Sequence, residues 1–248
     1  NTPIFFWFFC IFILFYGFAF LKQTPRLYLI LISSLVFYGA WNYAFIPLLV
    51  GSGIADYYIA QAIDKSQSKQ SKKRWLILSL VINLGILATF KYADFAIESV
   101  AQLLAVLGYQ ASFTTLSWVL PVGISFYTFQ SLSYTIDVYR GDMKPRKGLL
   151  EFVAALSFFP QLVAGPILRA KHILPQMHAI ALPKWDAVKH GFLLITVGLI
   201  KKTGADLLAI PVQAAFEAKE ALSTLEMWTG VIAFAGQIYG DFSGYTDM

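Results

Sequence analysis

Two aspartates stand in the final apolar stretch of the sequence, Gly236-Gln237-Ile238-Tyr239-Gly240-Asp241-Phe242-Ser243-Gly244-Tyr245-Thr246-Asp247-Met248. Acids at membrane depth are costly and face a cavity or a partner. If this stretch is helical, Gly236, Gly240 and Gly244 recur every fourth residue and form a stripe that lets another helix backbone come close. Gln237, Asp241 and Tyr245 form a neighbouring stripe, and Ser243 and Asp247 flank the glycines on the other side. Two readings follow. The helix lines a polar tunnel, or it is a packing face whose acids cap a helix end at the membrane interface.

A second group is Leu120-Pro121-Val122-Gly123-Ile124-Ser125-Phe126-Tyr127, continued by Thr128, Gln130, Ser131 and Ser133. Ser125, Tyr127 and Gln130 are candidates for lining the same tunnel. Hydroxyls and amides in a span also bond across helices, which is the competing reading. A third group, Phe159-Pro160-Gln161-Leu162-Val163-Ala164-Gly165-Pro166-Ile167-Leu168-Arg169, carries two prolines and a glycine and reads as a broken element. Gly165 and Pro166 are the tunnel candidates there. Arg169 is either an anion contact or an ordinary flanking cation. His172, His178 and His190 all fall in the polar stretch 169–190, where histidines are solvated more often than catalytic. There is no HExxH, no paired cysteine and no glycine-rich phosphate loop, so neither a metal nor a nucleotide site is supported. Lys201-Lys202 can meet a phosphate or a carboxylate, or snorkel to headgroups.

The elements that must position these groups are membrane helices. Of 248 residues, 58% are hydrophobic and only 13% charged, against about 25% charged in a soluble domain. That excludes a disordered chain, a collagen and a disulfide scaffold; the single cysteine, Cys10, allows no internal bridge. The net charge of +5 reflects loop lysines and arginines that set membrane orientation, with no nucleic acid implied. The expected fold is all-α, a polytopic transmembrane helical bundle with broken or re-entrant helices, in one domain across 1–248.

Residues 3–21 form an uncharged run long enough to span. The uncharged run 27–55 is too long for one span and divides at Trp41-Asn42-Tyr43-Ala44-Phe45-Ile46-Pro47, an interfacial aromatic cluster followed by a helix-starting proline. This division puts Lys22, Arg26 and the basic loop 64–74 on one side, the cytoplasmic one. Residues 75–90 return outward, 98–108 are expected to lie flat, and 116–136 cross back to another basic loop with Arg140, Lys144, Arg146 and Lys147. Residues 152–168 are read as broken and re-entrant, the alternative being a proline-kinked span. Residues 191–200 and 207–216 read as two short runs separated by Lys201-Lys202, and 227–248 begin another helix.

Six motifs together resemble the membrane-bound O-acyltransferase family, most closely its bacterial branch, which includes membrane subunits of alginate O-acetylation and of D-alanyl transfer to teichoic acid. They are Ser33-Ser34-Leu35-Val36-Phe37-Tyr38-Gly39-Ala40-Trp41, Phe90-Lys91-Tyr92, Leu120-Pro121-Val122-Gly123-Ile124-Ser125-Phe126-Tyr127, Tyr134-Thr135-Ile136-Asp137-Val138-Tyr139-Arg140-Gly141, Phe159-Pro160 with Ala164-Gly165-Pro166-Ile167, and Asp241-Phe242-Ser243-Gly244-Tyr245-Thr246-Asp247-Met248. The likeness runs through nearly the whole chain. It implies a multi-pass enzyme of the bacterial cytoplasmic (inner) membrane that passes an acyl group, most simply acetyl, from a cytoplasmic donor to a cell-surface polysaccharide or a partner protein. The implied donor is acetyl-CoA or an acylated carrier protein, used as co-substrate with no bound cofactor. The implied partners are the lipid bilayer, an extracytoplasmic esterase-like protein and an acyl carrier protein. The family's general-base histidine follows the Asp-Phe-Ser-Gly-Tyr-Thr-Asp-Met motif, so the chain is expected to be an N-terminal portion with no catalytic residue of its own. His172, His178 and His190 do not match that position. A transporter or flippase, or a scaffold subunit, is the alternative class; broken polar helices mark substrate paths in transporters too.

Overall fold

A computed structural model describes residues 3–19, 23–109, 118–162, 168–178, 184–218 and 222–248. The described residues are helical, with no strand among them. Among the described residues ten α-helices follow one another: α1 (Pro3–Ala19), α2 (Gln23–Asn42), α3 (Ile46–Lys65), α4 (Lys69–Val106), α5 (Ile124–Arg140), α6 (Leu149–Leu156), α7 (Phe159–Leu162), α8 (Ala170–His178), α9 (Trp185–Phe216) and α10 (Thr224–Asp247). They fall into two units, the first made of α1 to α8 and the second of α9 and α10.

In the first unit the expected division near residue 42 is present. Asn42 ends α2, and its side chain accepts from the Ala44 backbone N–H at 3.0 Å. A single 3₁₀ turn, Tyr43–Phe45, then leads into α3, with Pro47 in the first turn where its missing N–H costs nothing. α4 starts at an N-cap, with Ser68 accepting from the Ser71 N–H. It then runs unbroken for 38 residues, about 57 Å at the usual helical rise. The expected break before 98–108 does not occur. Residues 91–106 hold no proline or glycine and four alanines, so nothing interrupts the backbone ladder.

Several helices of this unit turn polar residues inward beside the apolar core and apolar residues outward, unlike the helices of a soluble bundle. On α4 the buried positions are Ser79, Asn83 and Leu87, while Ile77, Leu78, Val81 and Leu84 are exposed. On α2 the inward stripe is Arg26, Ile30, Ser34 and Tyr38, and Tyr28, Ile32 and Val36 face out. Water penalises such an arrangement on both faces. Hydrocarbon around the bundle removes the penalty on the apolar face, and internal hydrogen bonds remove it on the polar face. Among the described residues two helical stretches, 23–65 and 69–106, are long and apolar enough to cross a bilayer. The chain is a helical membrane protein.

α5 begins at residue 124; of the expected crossing 116–136, the described residues 118–123 are not helical, and 110–117 lie outside the described residues. Its ends are fixed by Gly123 and Gly141, at φ 75° and 84°, a left-handed backbone that a side chain disfavours. The broken reading of 152–168 matches what is described. α6 ends at Leu156, and α7 is a single turn after Phe158; 163–167 lie outside the described residues. Residues 151–156 of α6 are all buried. The ring of Phe159 lies 5.2, 5.1 and 5.6 Å from those of Phe8, Phe12 and Phe37. The Phe159 N–H donates to Ser34 Oγ at 3.1 Å, and Ser34 Oγ–H in turn donates to the Ile30 carbonyl. The Phe-Pro motif is thereby tied to α2.

In the second unit α9 is one helix of 32 residues. The expected break at Lys201-Lys202 is absent, because both ammonium groups find carboxylates without leaving the helix (below). α9 and α10 run antiparallel: Gly244 meets Gly198, Gly240 meets Ala205 and Gly236 meets Leu208.

Candidate functional site

Glycine spacing on α10 decides how its polar residues are presented. A Cβ at Gly244 would lie 2.7 Å from the Gly198 carbonyl oxygen and 3.0 Å from the Lys202 nitrogen. At Gly240 it would lie 3.0 Å from the Ala205 Cβ and 3.2 Å from the Lys201 carbonyl. The glycine stripe is a seam of backbone contact with α9. The lysines straddle that seam. Lys201 Nζ donates to Ser243 Oγ at 2.9 Å and to Asp247 Oδ2 at 2.5 Å. Lys202 Nζ donates to Asp241 Oδ1 at 2.7 Å and to Asp206 on its own helix. Asp241, Ser243 and Asp247, three of the tunnel candidates, are held by α9 cations. The lysines meet carboxylates instead of snorkelling outward. Of the remaining α10 candidates, Tyr245 is half-buried, and Gln237 is half-buried with its Oε1 enclosed and without a hydrogen-bond partner among the described residues.

In the first unit the candidates on α5 separate. Ser125 is half-buried, whereas Tyr127 and Gln130 are buried. The Tyr127 hydroxyl is enclosed and has no hydrogen-bond partner among the described residues, and Tyr38 donates to the Val122 carbonyl at 3.2 Å. One turn further along α5, Ser131 belongs to a cluster that the sequence reading left unassembled. Asp56 on α3 is completely buried. Its Oδ1 accepts from Ser79 Oγ–H at 2.6 Å, and its Oδ2 accepts from Asn83 Nδ2 at 2.7 Å and from Ser131 Oγ–H. Two helices, α4 and α5, supply these donors to the carboxylate on α3, and none of the donors is a cation. Hydroxyl bonding across helices is the outcome for Ser131. The signal was present: Asp56 stands alone in an apolar segment, and Ser79 and Asn83 are spaced one turn apart in the apolar stretch 75–88.

Gly165 and Pro166 lie outside the described residues, so the structure says nothing of them. The stretch 169–190 is not a plain loop, since α8 and the start of α9 occupy its two ends; His172 and His190 are exposed on those helices. Among the described residues no three His, Cys, Asp or Glu side chains are grouped as metal ligands.

Polar clusters buried within a largely apolar core, an apolar exterior and a broken Phe-Pro element are the features of a multi-helix membrane protein. The comparisons narrow this. No family model matches the sequence. The chain is 38% identical to the probable alginate O-acetylase AlgI of Pseudomonas aeruginosa, over 91% of this chain and 43% of that protein. It is 37% identical to the corresponding protein of Azotobacter vinelandii, over 95% of this chain and 47% of that protein. It is 33% identical to a peptidoglycan O-acetyltransferase of Helicobacter pylori, over 90% of this chain and 46% of that protein. The chain thus spans less than half the length of these curated relatives. Over nine-tenths of its length the chain is a homologue of these O-acetylation proteins, and its motifs are consistent with the membrane-bound O-acyltransferase family they resemble.

Proposed function

We propose that the protein to which this sequence belongs is a membrane O-acetyltransferase that moves acetyl from a cytoplasmic donor to a hydroxyl on a cell-surface polysaccharide or on a partner protein. The observation that carries this reading is identity of 33–38% over at least nine-tenths of the chain to proteins named for O-acetylation of two different polymers, alginate and peptidoglycan. The common element is a sugar hydroxyl as acceptor, which makes ester formation the conserved chemistry and the polymer the variable one. The donor is acetyl-CoA or an acetylated carrier protein. The site of action is the bacterial cytoplasmic membrane, and an extracytoplasmic esterase-like protein is the expected acceptor-side partner.

The reaction is thioester-to-ester exchange. A general base takes the hydroxyl proton, the oxygen attacks the acetyl carbonyl, and the thiol leaves with a proton. No residue of this chain is assigned as that base. The chain's own contribution is to build the bundle. The Asp56 cluster fixes α3, α4 and α5 against one another, the Phe159 cluster fixes the broken element on α2, and the lysine–aspartate pairs fix α10 on α9. Low water content around such a scaffold strengthens each interaction that orients a reactant.

The test uses cells. The gene for the whole protein is deleted and then restored, and alkali-labile acetate on surface polysaccharide is measured. Acetate that falls on deletion and returns on restoration supports the reading. Unchanged acetate overturns it. Purified whole protein in vesicles, given acetyl-labelled donor and a sugar acceptor, separates an enzyme, which forms labelled ester, from a flippase or scaffold, which does not.

A further inference from the structure

A cavity lies within the first unit, at the end where α5 passes into α6. It measures about 790 Å³ and is walled by the 142–148 segment, the start of α2 and the face of α8 that carries Lys171 and Pro175. Six of its lining residues are charged: Lys144, Arg146, Lys147 and Lys171 against Asp142 and Glu151. Arg146 Nε lies 3.9 Å from Glu151 Oε1. Among the described residues, the ammonium groups of Lys144, Lys147 and Lys171 have no carboxylate within ion-pair distance.

The 142–148 segment is held from behind. Tyr57 hydroxyl donates to the Lys147 carbonyl at 2.6 Å, Gln61 donates to the Arg146 carbonyl, and the Arg146 N–H donates to Tyr134 hydroxyl at 3.1 Å. With its backbone so fixed, the segment presents its cations to the cavity as a built surface. The first turn of α6 opens into the same space. Its N-cap is Gly148, which offers no side-chain cap, and Glu151 is the one acid in that turn. A helix start and three unpaired ammonium groups around one cavity favour a multiply charged anion. Leu27, Met143 and Leu150 add an apolar part to the wall, which suits an anion attached to a greasy or bulky remainder more than a bare ion.

We propose that this cavity is a phosphate-ester site at the basic end of the bundle, the end that the lysine and arginine distribution assigns to the cytoplasm. One chemistry, a phosphate ester, is available there from two sources: the headgroup of an anionic phospholipid, and the phosphates of a soluble thioester donor such as a coenzyme A derivative. The lipid source is independent of the acyl-transfer reading. The soluble source rests on it. Because binding is read directly, losing the site and losing the enzymatic reading are separate observations.

The experiment uses the whole protein in nanodiscs. One arm measures binding of coenzyme A to protein in phosphatidylcholine discs. The other measures phosphatidylglycerol retained by the protein when purified from mixed-lipid discs. Wild type is compared with K144Q/K147Q/K171Q, with the same three changed to Arg, and with K69Q/K72Q. Those last two lysines line a separate cleft with Gln67 and Tyr139. All the lysines changed to Gln in the triple variant are exposed, so the fold is expected to survive, and elution volume checks this. The expected result is that one probe binds at least about tenfold more weakly to the triple Gln variant, is restored by Arg, and is unchanged in the Lys69/Lys72 control. Loss of coenzyme A binding assigns the donor, and loss of phosphatidylglycerol assigns a lipid. The inference is overturned if neither probe distinguishes the triple variant from wild type, or if the Lys69/Lys72 control weakens binding equally, which marks a diffuse surface charge.

Discussion

Asp56 and Asp247 are both acids in apolar helices, and the molecule satisfies them in opposite ways. Asp56 is sealed inside the first unit and is held by two hydroxyls and an amide. Asp247 is partly exposed at the α9–α10 seam and is held by Lys201. Neutral donors suit a deep site, since each is cheap to bury and is satisfied by the carboxylate it faces. A lysine suits the seam, where the remaining exposure lowers the desolvation cost of both charges. Depth selects the partner, and the partner sets what a substitution costs.

The largest effect is therefore expected at Asp56. Asp56→Ala strands three buried donors and opens a void. Each stranded polar group costs about 1–3 kcal/mol, so thermal unfolding of the purified whole protein should fall steeply, or the protein should fail to accumulate. Asp56→Asn should be intermediate, because it keeps one acceptor and turns an N–H toward Asn83 and Ser131. If Asp56→Ala unfolded with wild type, the cluster would not be holding α3, α4 and α5 together.

Gly244→Val should come next. The added side chain meets the Gly198 carbonyl and Lys202 nitrogen head-on, and forced overpacking costs about 1–3 kcal/mol. The two helices must separate, so cysteine pairs placed across the seam should cross-link more slowly than in the parent. Equal cross-linking would mean that the seam has slack.

Smaller effects sharpen the contrast within the seam. Asp247→Asn leaves Lys201 with Ser243 as its hydrogen-bond partner, whereas Asp241→Asn leaves Lys202 with the carboxylate of Asp206. The first should lower stability by about 1 kcal/mol or less after allowance for exposure, and the second by less still. Measured unfolding in the reverse order would show that Asp206 does not share the charge. The same pair of variants assayed for O-acetylation at equal protein level separates the tunnel reading from the packing reading. Unchanged transfer removes both acids from the chemistry.

The smallest effect is at the head of α10, in the polar stretch before its apolar part. Ser223 and Glu226 form a reciprocal cap there. The hydrogen bonds from the Ser223 hydroxyl and N–H hold the Glu226 carboxyl below its ordinary value. A carboxyl lowered on folding stabilises above its unfolded pKa, and that contribution is lost as pH falls through the folded value. Amide protection in the first turn of α10, taken relative to intrinsic exchange at each pH, should therefore fall in acid, and Ser223→Ala should remove much of that pH dependence. Exchange that is insensitive to both would leave the cap without a role.

Local signals in the sequence were legible where they act over one or two turns. Asn42 and Pro47 marked the division of 27–55, and the four-residue glycine spacing gave the α10 packing stripe along with the sides on which Asp241 and Asp247 lie. Legibility stopped where a distant residue decides the outcome. Lys201-Lys202 reads as a helix interruption until Asp241 and Asp247 are placed beside it, some 40 residues away. Asp56 acquires meaning only with Ser79 and Ser131, 23 and 75 residues off. The start of α5 at 124, not 116, reflects Pro121 and Gly123, whose turn chemistry outweighs the apolar run before it.

Thermal unfolding of Asp56→Ala beside Asp247→Asn, in the whole protein and the same detergent, tests most directly whether depth selects the partner and sets the cost. The expected result is a drop for Asp56→Ala several times that for Asp247→Asn. Equal drops, or a larger one at Asp247, would contradict it.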